Sequence, residues 1–254
     1  MKFGEPVLGG PCWVELSTSD LAASRAFYGV LFGWRCETDP REEAGGYTVA
    51  HVGDAPVAAL TPLYSPEQPA GWQVSFATAD ADASAEEARR LGGTLLAGPM
   101  DVFDMGRFAM LADPGGAVFH VWQARSFPGA GLLNAPGALG WVELATRAPE
   151  AALAFYPALL GWTVAPSEFY PQWGVDGADF GGMAAMDEEV PADVPPHWLP
   201  YFAVPDVDAA AERAGAAGGE VVMEPATVPE GPRICVLRDP QGAEFGIHRA
   251  YEEG

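Results

Sequence analysis

The stretch Trp13–Trp34, WVELSTSDLAASRAFYGVLFGW, decides how this chain is read, because it returns 128 residues later as Trp141–Trp162, WVELATRAPEAALAFYPALLGW. Two more blocks repeat in the same order. WQVSFATADADASAEEARRLGG from Trp72 answers HWLPYFAVPDVDAAAERAGAAGG from His197, and DPGGAVFHVW from Asp113 answers DPQGAEFGIH from Asp239. A period of this kind marks duplicated structural units. The 254 residues therefore divide into two similar halves, each long enough to bury its own core.

Working outward from Trp13, Cys12–Thr18 alternates apolar and polar side chains as a strand does, with Trp13, Glu15 and Ser17 on one face. Asp20 then offers an N-cap, and Leu21, Phe27 or Tyr28, Leu31 and Phe32 follow at helical spacing until Gly33 stops the helix. Trp34–Cys36, Tyr47–Val52 and Val57–Pro62 read as short strands, which makes the unit β-α-β-β-β. Beyond the connector Leu60–Gly71 the pattern starts again, with a strand at Gln73–Thr78 and a helix from about Asp82 to Leu91 closed by Gly92-Gly93. Strands follow at Thr94–Leu96, Arg107–Leu111 and Ala117–Gln123, the last two joined by the DPGG turn at Asp113. Arg125–Gly137 has linker composition, so the expected division is a first domain over 1–125, a linker over 126–137 and a second domain over 138–254.

Charge narrows the function classes. A net charge of −22 with 13 Lys and Arg in all leaves nothing to neutralise phosphate backbones or anionic lipid, so neither nucleic acid nor a membrane is an expected partner. Cys12, Cys36 and Cys235 show no C-x-x-C spacing and signal neither a disulfide framework nor zinc. The N-terminal MKFGEPVLGGP has no apolar core of a signal peptide, and no run of 18 apolar residues occurs, so a cytoplasmic protein is expected.

Four β-α-β-β-β modules, a D-L-x-x-S-x-x-F-Y-x-x-x-F-G-W helix in the first module that returns as F-Y-x-x-x-L-G-W in the third, and D-P-x-G hairpins in the even ones resemble the vicinal oxygen chelate (glyoxalase/bleomycin resistance/dioxygenase) superfamily. The W-V-E-L opening and the two-domain layout are most similar to its actinobacterial tandem glyoxalase-like group. The resemblance implies an α+β fold of two tandem domains, with curled mixed sheets around a cavity. It also implies, in most members, a divalent metal held by His and Glu on the first and last strands.

At the positions where the superfamily places ligands, this chain has Trp13 and Trp141 on the opening strands, Gln73 and Leu199 on the first strands of the even modules, Ala59 and Ala184 on the fourth strands of the odd modules, and His120 and Gly246 seven residues past the turn aspartates. Indole cannot coordinate a metal. No metal cofactor is therefore expected. A register shifted by two residues keeps a divalent metal as the alternative: it turns Glu15, Glu143 and His248 inward and, with modules paired across the halves, joins Glu15 to His248 and Glu143 to His120.

Tryptophan in place of ligands favours flat apolar molecules. The expected lining is Trp13, Trp141, Trp122 and Tyr201, with Gln73 at the polar position and Trp173 and Tyr170 on a loop over the mouth. Glu15 and Glu143 stand on otherwise apolar strands, where burial raises a carboxyl pKa; either is a candidate general acid or base, assisted by His120 or His248. The competing role for each Glu is to accept hydrogen bonds from a neighbouring Trp Nε1 or backbone N–H and tie modules together. Asp113 and Asp239 read as turn formers, and Arg107 and Arg233 as braces of those turns or solvated side chains. The expected function is a metal-independent tailoring enzyme or binding protein for a small aromatic or hydrophobic metabolite, as monomer or homodimer. A non-catalytic sequestering protein and a metal-dependent lyase, isomerase or dioxygenase stand as alternatives. Because the residues at these positions differ between the halves, the two cavities are not equivalent.

Overall fold

Asp20 caps the first helix as expected, its Oδ1 accepting the Ala23 N–H at 2.9 Å, and Gly33 ends it in the left-handed conformation at φ 72°. These two residues fix the opening β-α step of a computed structural model that describes residues 7–65, 67–167, 170–229 and 231–250. The first half runs β1 (Pro11–Thr18), α1 (Leu21–Phe32), β2 (Arg35–Thr38), β3 (Thr48–Val52), β4 (Ala55–Pro62), β5 (Gly71–Ala77), α2 (Ala81–Arg90), β6 (Thr94–Val102), β7 (Gly106–Ala112) and β8 (Val118–Ala124). The second half repeats it as β9 (Leu139–Thr146), α3 (Pro149–Leu160), β10 (Thr163–Ala165), β11 (Gln172–Val175), β12 (Ala178–Ala185), β13 (His197–Val204), α4 (Val207–Ala216), β14 (Glu220–Thr227), β15 (Arg233–Arg238) and β16 (Glu244–Arg249). Two elements differ from the pattern reading. β6 continues to Val102 through Pro99, and Trp173 lies within β11 rather than on a covering loop.

Each half is one eight-stranded mixed sheet, ordered β2-β3-β4-β1-β5-β8-β7-β6 and β10-β11-β12-β9-β13-β16-β15-β14. The two modules of a half join at its centre, where β1 pairs antiparallel with β5 and β9 with β13. This corrects the cross-half arrangement: Glu15 and His120 share the first sheet, Glu143 and His248 the second, so the pairs Glu15–His248 and Glu143–His120 are split between sheets.

Strand alternation sorts the side chains as the sequence suggests. Val14 and Leu16 are fully buried in a core drawn from both halves, whereas Trp13 belongs to a separate cluster on the other face of β1. The shared core is built from reciprocal contacts. Trp72 Nε1 donates to the Tyr28 hydroxyl (3.2 Å), which donates to Asp239 Oδ2 of the other half (3.0 Å); Trp198 Nε1 donates to the Tyr156 hydroxyl (3.0 Å), which donates to Asp113 Oδ2 (3.0 Å). Trp34 Nε1 donates to the Gly137 carbonyl at 2.7 Å and Trp162 Nε1 to the Gly9 carbonyl at 2.6 Å. The Phe27 ring lies where a Cβ on Gly219 would sit at 3.0 Å from it, and Phe155 does the same at Gly93. The F-Y, G-W, G-G and D-P-x-G repeats are thus the joint between halves. The aspartates also accept the backbone N–H of Ala117 and Ala243, so they form their turns and bolt the partner half at once. No helix among the described residues is long and apolar enough to cross a membrane.

Candidate functional site on the outer faces

The face of each sheet turned away from the shared core carries the candidate site residues. On β1 these are Trp13, Glu15 and Ser17; β5 adds Gln73 and Ser75, and β8 adds His120 and Trp122, with Glu15 opposite Gln73, Trp13 opposite Ser75, and Ser75 beside His120. Two strand spacings and one two-residue step put the Glu15 and His120 Cα atoms about 12 Å apart on one face.

Glu15 is held by phenols rather than by indole. Trp13 Nε1 donates to the Tyr47 hydroxyl at 2.9 Å, Tyr47 hydrogen-bonds the Glu15 carboxylate, and Tyr64 donates to Glu15 Oε1 at 3.3 Å. Burial raises the Glu15 pKa, and the two phenol donors offset part of that rise. On β8 His120 is pushed down to about 4 by burial and is a neutral imidazole near pH 7. Its Nε2 is sealed from solvent and has no hydrogen-bond partner among the described residues. Gln73, between the two, accepts the Ser17 hydroxyl at 3.3 Å.

The aromatic lining is less open than alternation suggests. Trp13 is 5% exposed and packs edge-on against Phe127 at 4.9 Å, while Trp122 donates its Nε1 to the Phe127 carbonyl at 2.9 Å. The linker therefore covers both indoles. Trp173 is fully buried on the opposite face, in the shared core, with its Nε1 on the Gly182 carbonyl. A small apolar cleft of about 130 Å3 at the junction of β1, β9 and the linker takes in Trp141 but neither Glu15 nor His120.

The second half repeats one end of this arrangement and alters the other. Trp141 Nε1 donates to the Tyr170 hydroxyl at 3.0 Å, and Tyr170 hydrogen-bonds Glu143, whose pKa is likewise raised by burial. Here the second phenol comes from within the sheet: Tyr201, opposite Trp141 on β13, donates to Glu143 Oε1 at 3.3 Å. Gly246 beside it stands where His120 stands in the first half, and a Cβ there would run into the Tyr201 ring. Leu199 replaces Gln73 opposite Glu143. His248 is packed over Gly140 with Nδ1 on the Arg249 carbonyl at 2.9 Å, and burial lowers its pKa. It pairs with Ala203, four residues along β13 from the partner of Glu143, so about 16 Å separates the two Cα atoms. The structure thus places Glu15, Gln73 and His120 on one surface and keeps Glu143 and His248 apart.

Tyr47 and Tyr64 are the residues that pattern reading missed. Tyr47 and Tyr170 each stand one residue before β3 or two before β11, at equivalent register, but loops of unequal length hide the match from a fixed offset.

These donors do not fit a three-ligand divalent centre. No group of three His, Cys, Asp or Glu side chains within reach of one ion exists among the described residues, indoles take the ligand positions on β1 and β9, and both glutamates are engaged by phenol hydroxyls.

A family model described as the Glyoxalase/Bleomycin resistance protein/Dioxygenase superfamily matches residues 11–121 and again 138–247. The chain belongs to that superfamily. Within it, the chain is 41% identical over 256 residues to CFP32 of Mycobacterium bovis, which is named as a glyoxylase, covering 97% of each chain. It is 40% identical over 257 residues to the anthracycline biosynthesis protein DnrV of Streptomyces peucetius, covering 94% of this chain and 92% of that one. In fold it is similar to a Mn(II)-bound glyoxalase from Novosphingobium aromaticivorans, at TM-score 0.69 and 16% identity over 97% of this chain and 84% of the other. The 2,3-dioxygenase LapB from Pseudomonas sp. KL28 superposes at TM-score 0.68 and 13% identity, over 99% and 96%. At such identities these two structures share the architecture, and the residues on the outer faces are this chain's own.

Proposed function

We propose that the outer face of the first half binds a small planar aromatic metabolite and moves a proton on it without a metal. Glu15 is the acid–base group, and His120 the neutral imidazole facing it across the ligand. The observation that carries this is His120: a neutral ring with an unpaired, solvent-sealed Nε2, on the same face as a carboxyl of raised pKa. An unsatisfied buried polar atom costs about 1–3 kcal/mol, which a ligand oxygen or hydroxyl would recover. Tyr47 and Tyr64 fix the carboxylate in one orientation, and Gln73 supplies a further polar contact between the two groups. Relationship to anthracycline biosynthesis proteins supports polycyclic aromatic ligands.

The test is deuterium incorporation from D2O into the enolisable CH2 of α-tetralone, followed by NMR. The chain should accelerate exchange, and Glu15→Gln should lose at least about 100-fold of that acceleration. An unchanged rate in Glu15→Gln would remove the proton-transfer role. Loss of activity with EDTA, restored by a divalent ion, would replace it with a metal mechanism.

A further inference from the structure

Each half-buried glutamate accepts a phenol hydroxyl, but the two halves deliver it by different routes. In the first half the donor is Tyr64, 72% exposed on the loop after β4, reaching in from the rim. In the second it is Tyr201, 4% exposed, whose ring lies flat on the sheet over Gly246 with its hydroxyl on Glu143. The register makes Tyr201 the counterpart of Ser75 and Gly246 the counterpart of His120. Where the second half has a phenol, the first half has only a serine side chain and an imidazole with an unpaired nitrogen.

We infer that the first-half site takes its ligand as a phenol, with the hydroxyl on Glu15 and the ring over Ser75 beside His120, and that the second half holds the same site shut with a built-in phenol, Tyr201. The inference rests on the proposed ligand-binding role of the first-half face and narrows its substrate class to hydroxylated aromatic rings. Three features of the chain agree with it. The carboxyl-holding end, Trp–Tyr–Glu, is present in both halves, as a common receptor requires. The residues that differ are those beneath the ring. Finally, a rim tyrosine on a loop can yield Glu15 to an incoming hydroxyl, whereas Tyr201 is wedged between Trp141 across the ladder and Gly246 beside it and cannot leave without opening the sheet face.

The experiment uses the full chain with 1-naphthol and with 1-methoxynaphthalene, which keeps the rings and the oxygen but cannot donate a hydrogen bond. Binding is read by calorimetry and by tryptophan quenching. The wild type should bind one equivalent of 1-naphthol and hold 1-methoxynaphthalene at least about tenfold more weakly, because the carboxylate then faces an oxygen with no proton. Tyr201→Ser, which gives the second half the residue of the first, should bind two equivalents. The double variant Ser75→Tyr/His120→Gly, which builds the plug into the first half, should bind none. Equal affinity for the two probes overturns the phenol assignment on the wild type alone, whether or not the variants fold. A stoichiometry that stays at one in folded Tyr201→Ser, or undiminished binding in the folded double variant, overturns the plug. If these binding results hold while deuterium exchange ignores Glu15→Gln, the proton-transfer role fails and the phenol site stands.

Discussion

On the buried joint, Tyr28 and Tyr156, Trp34 and Trp162, and Phe27 and Phe155 make the same contact twice from opposite sides; on the outer faces Ser75 answers Tyr201, Gln73 answers Leu199 and His120 answers Gly246. The difference separates two kinds of repeated sequence. A residue that bolts one half to the other is needed in both copies, because the joint has pseudo-twofold symmetry and loses half its contacts if either copy drifts. A residue that meets a ligand is needed once. The loudest repeats in this chain, F-Y, G-W and D-P-x-G, are therefore architecture, and the chemistry is sought where the halves disagree. Trp13–Tyr47–Glu15 and Trp141–Tyr170–Glu143 lie between these extremes: the relay is kept in both halves, but only the first has a histidine, His120, beside the residue that faces its tryptophan, where the second has Gly246.

The largest effects should fall on the joint, and equally on its two sides. Tyr28→Ala and Tyr156→Ala each remove a fully buried ring and should cost about 3–5 kcal/mol in denaturant melts. Tyr28→Phe and Tyr156→Phe keep the ring and remove only the donor to a buried aspartate, at about 1–3 kcal/mol each. A large cost on one side with none on the other would show that the joint is not symmetric.

A smaller effect separates the outer faces by pH. The folded-state pKa of His120 lies near 4 against an ordinary value of 6.5, so between those limits the unfolded chain binds a proton that the folded chain refuses. Stability owed to the neutral ring is complete above pH 6.5 and is lost as pH falls toward 4. The melting temperature of the wild type should therefore drop more steeply over that window than that of His120→Gln, which has nothing to titrate there. Parallel curves would mean that the ring is solvated and already charges near its ordinary value.

Most of the fold was legible because alternation and helix caps are local signals. Trp13, Glu15 and Ser17 sort to one face, and Asp20 and Gly33 bracket the first helix, on nearest-neighbour physics alone. What was not legible depends on distant partners. Nothing in DPGG says that Asp113 will receive the hydroxyl of Tyr156, 43 residues further on and in the other half. Nor does periodicity reveal that Phe127, in a stretch of linker composition, covers Trp13 and Trp122, or that Trp173 belongs to a strand whose alternation sends it into the core. In the candidate site, Glu15, Gln73 and His120 could be placed on one face by counting, but the glutamate's phenol partners arrive from loops of unequal length, which no fixed offset aligns.

The smallest effect concerns Arg107 and Arg233, expected to brace the aspartate turns or to stand in solvent; they lie at the surface and there tie strands β7 and β15 to the first turns of α2 and α4. Arg107 Nε donates to Asp82 at 2.6 Å and Nη1 to Asp101 at 2.9 Å, whereas Arg233 Nε donates to Asp208 at 2.6 Å and its second contact is the neutral Thr227 hydroxyl at 3.3 Å. The pairs sit at the surface, so water and salt screen most of their attraction. Arg107→Ala should lower the melting temperature by no more than about 2 °C, and Arg233→Ala by slightly less, since a hydroxyl replaces the second carboxylate. Both differences should shrink further at roughly 0.5 M salt, where the screening length falls to a few ångströms. If Arg233→Ala were the more damaging of the two, the ion pairs would not be what these arginines contribute. Their methylene stems packed along the strand would then be the term to measure, and Arg→Met variants would recover the loss.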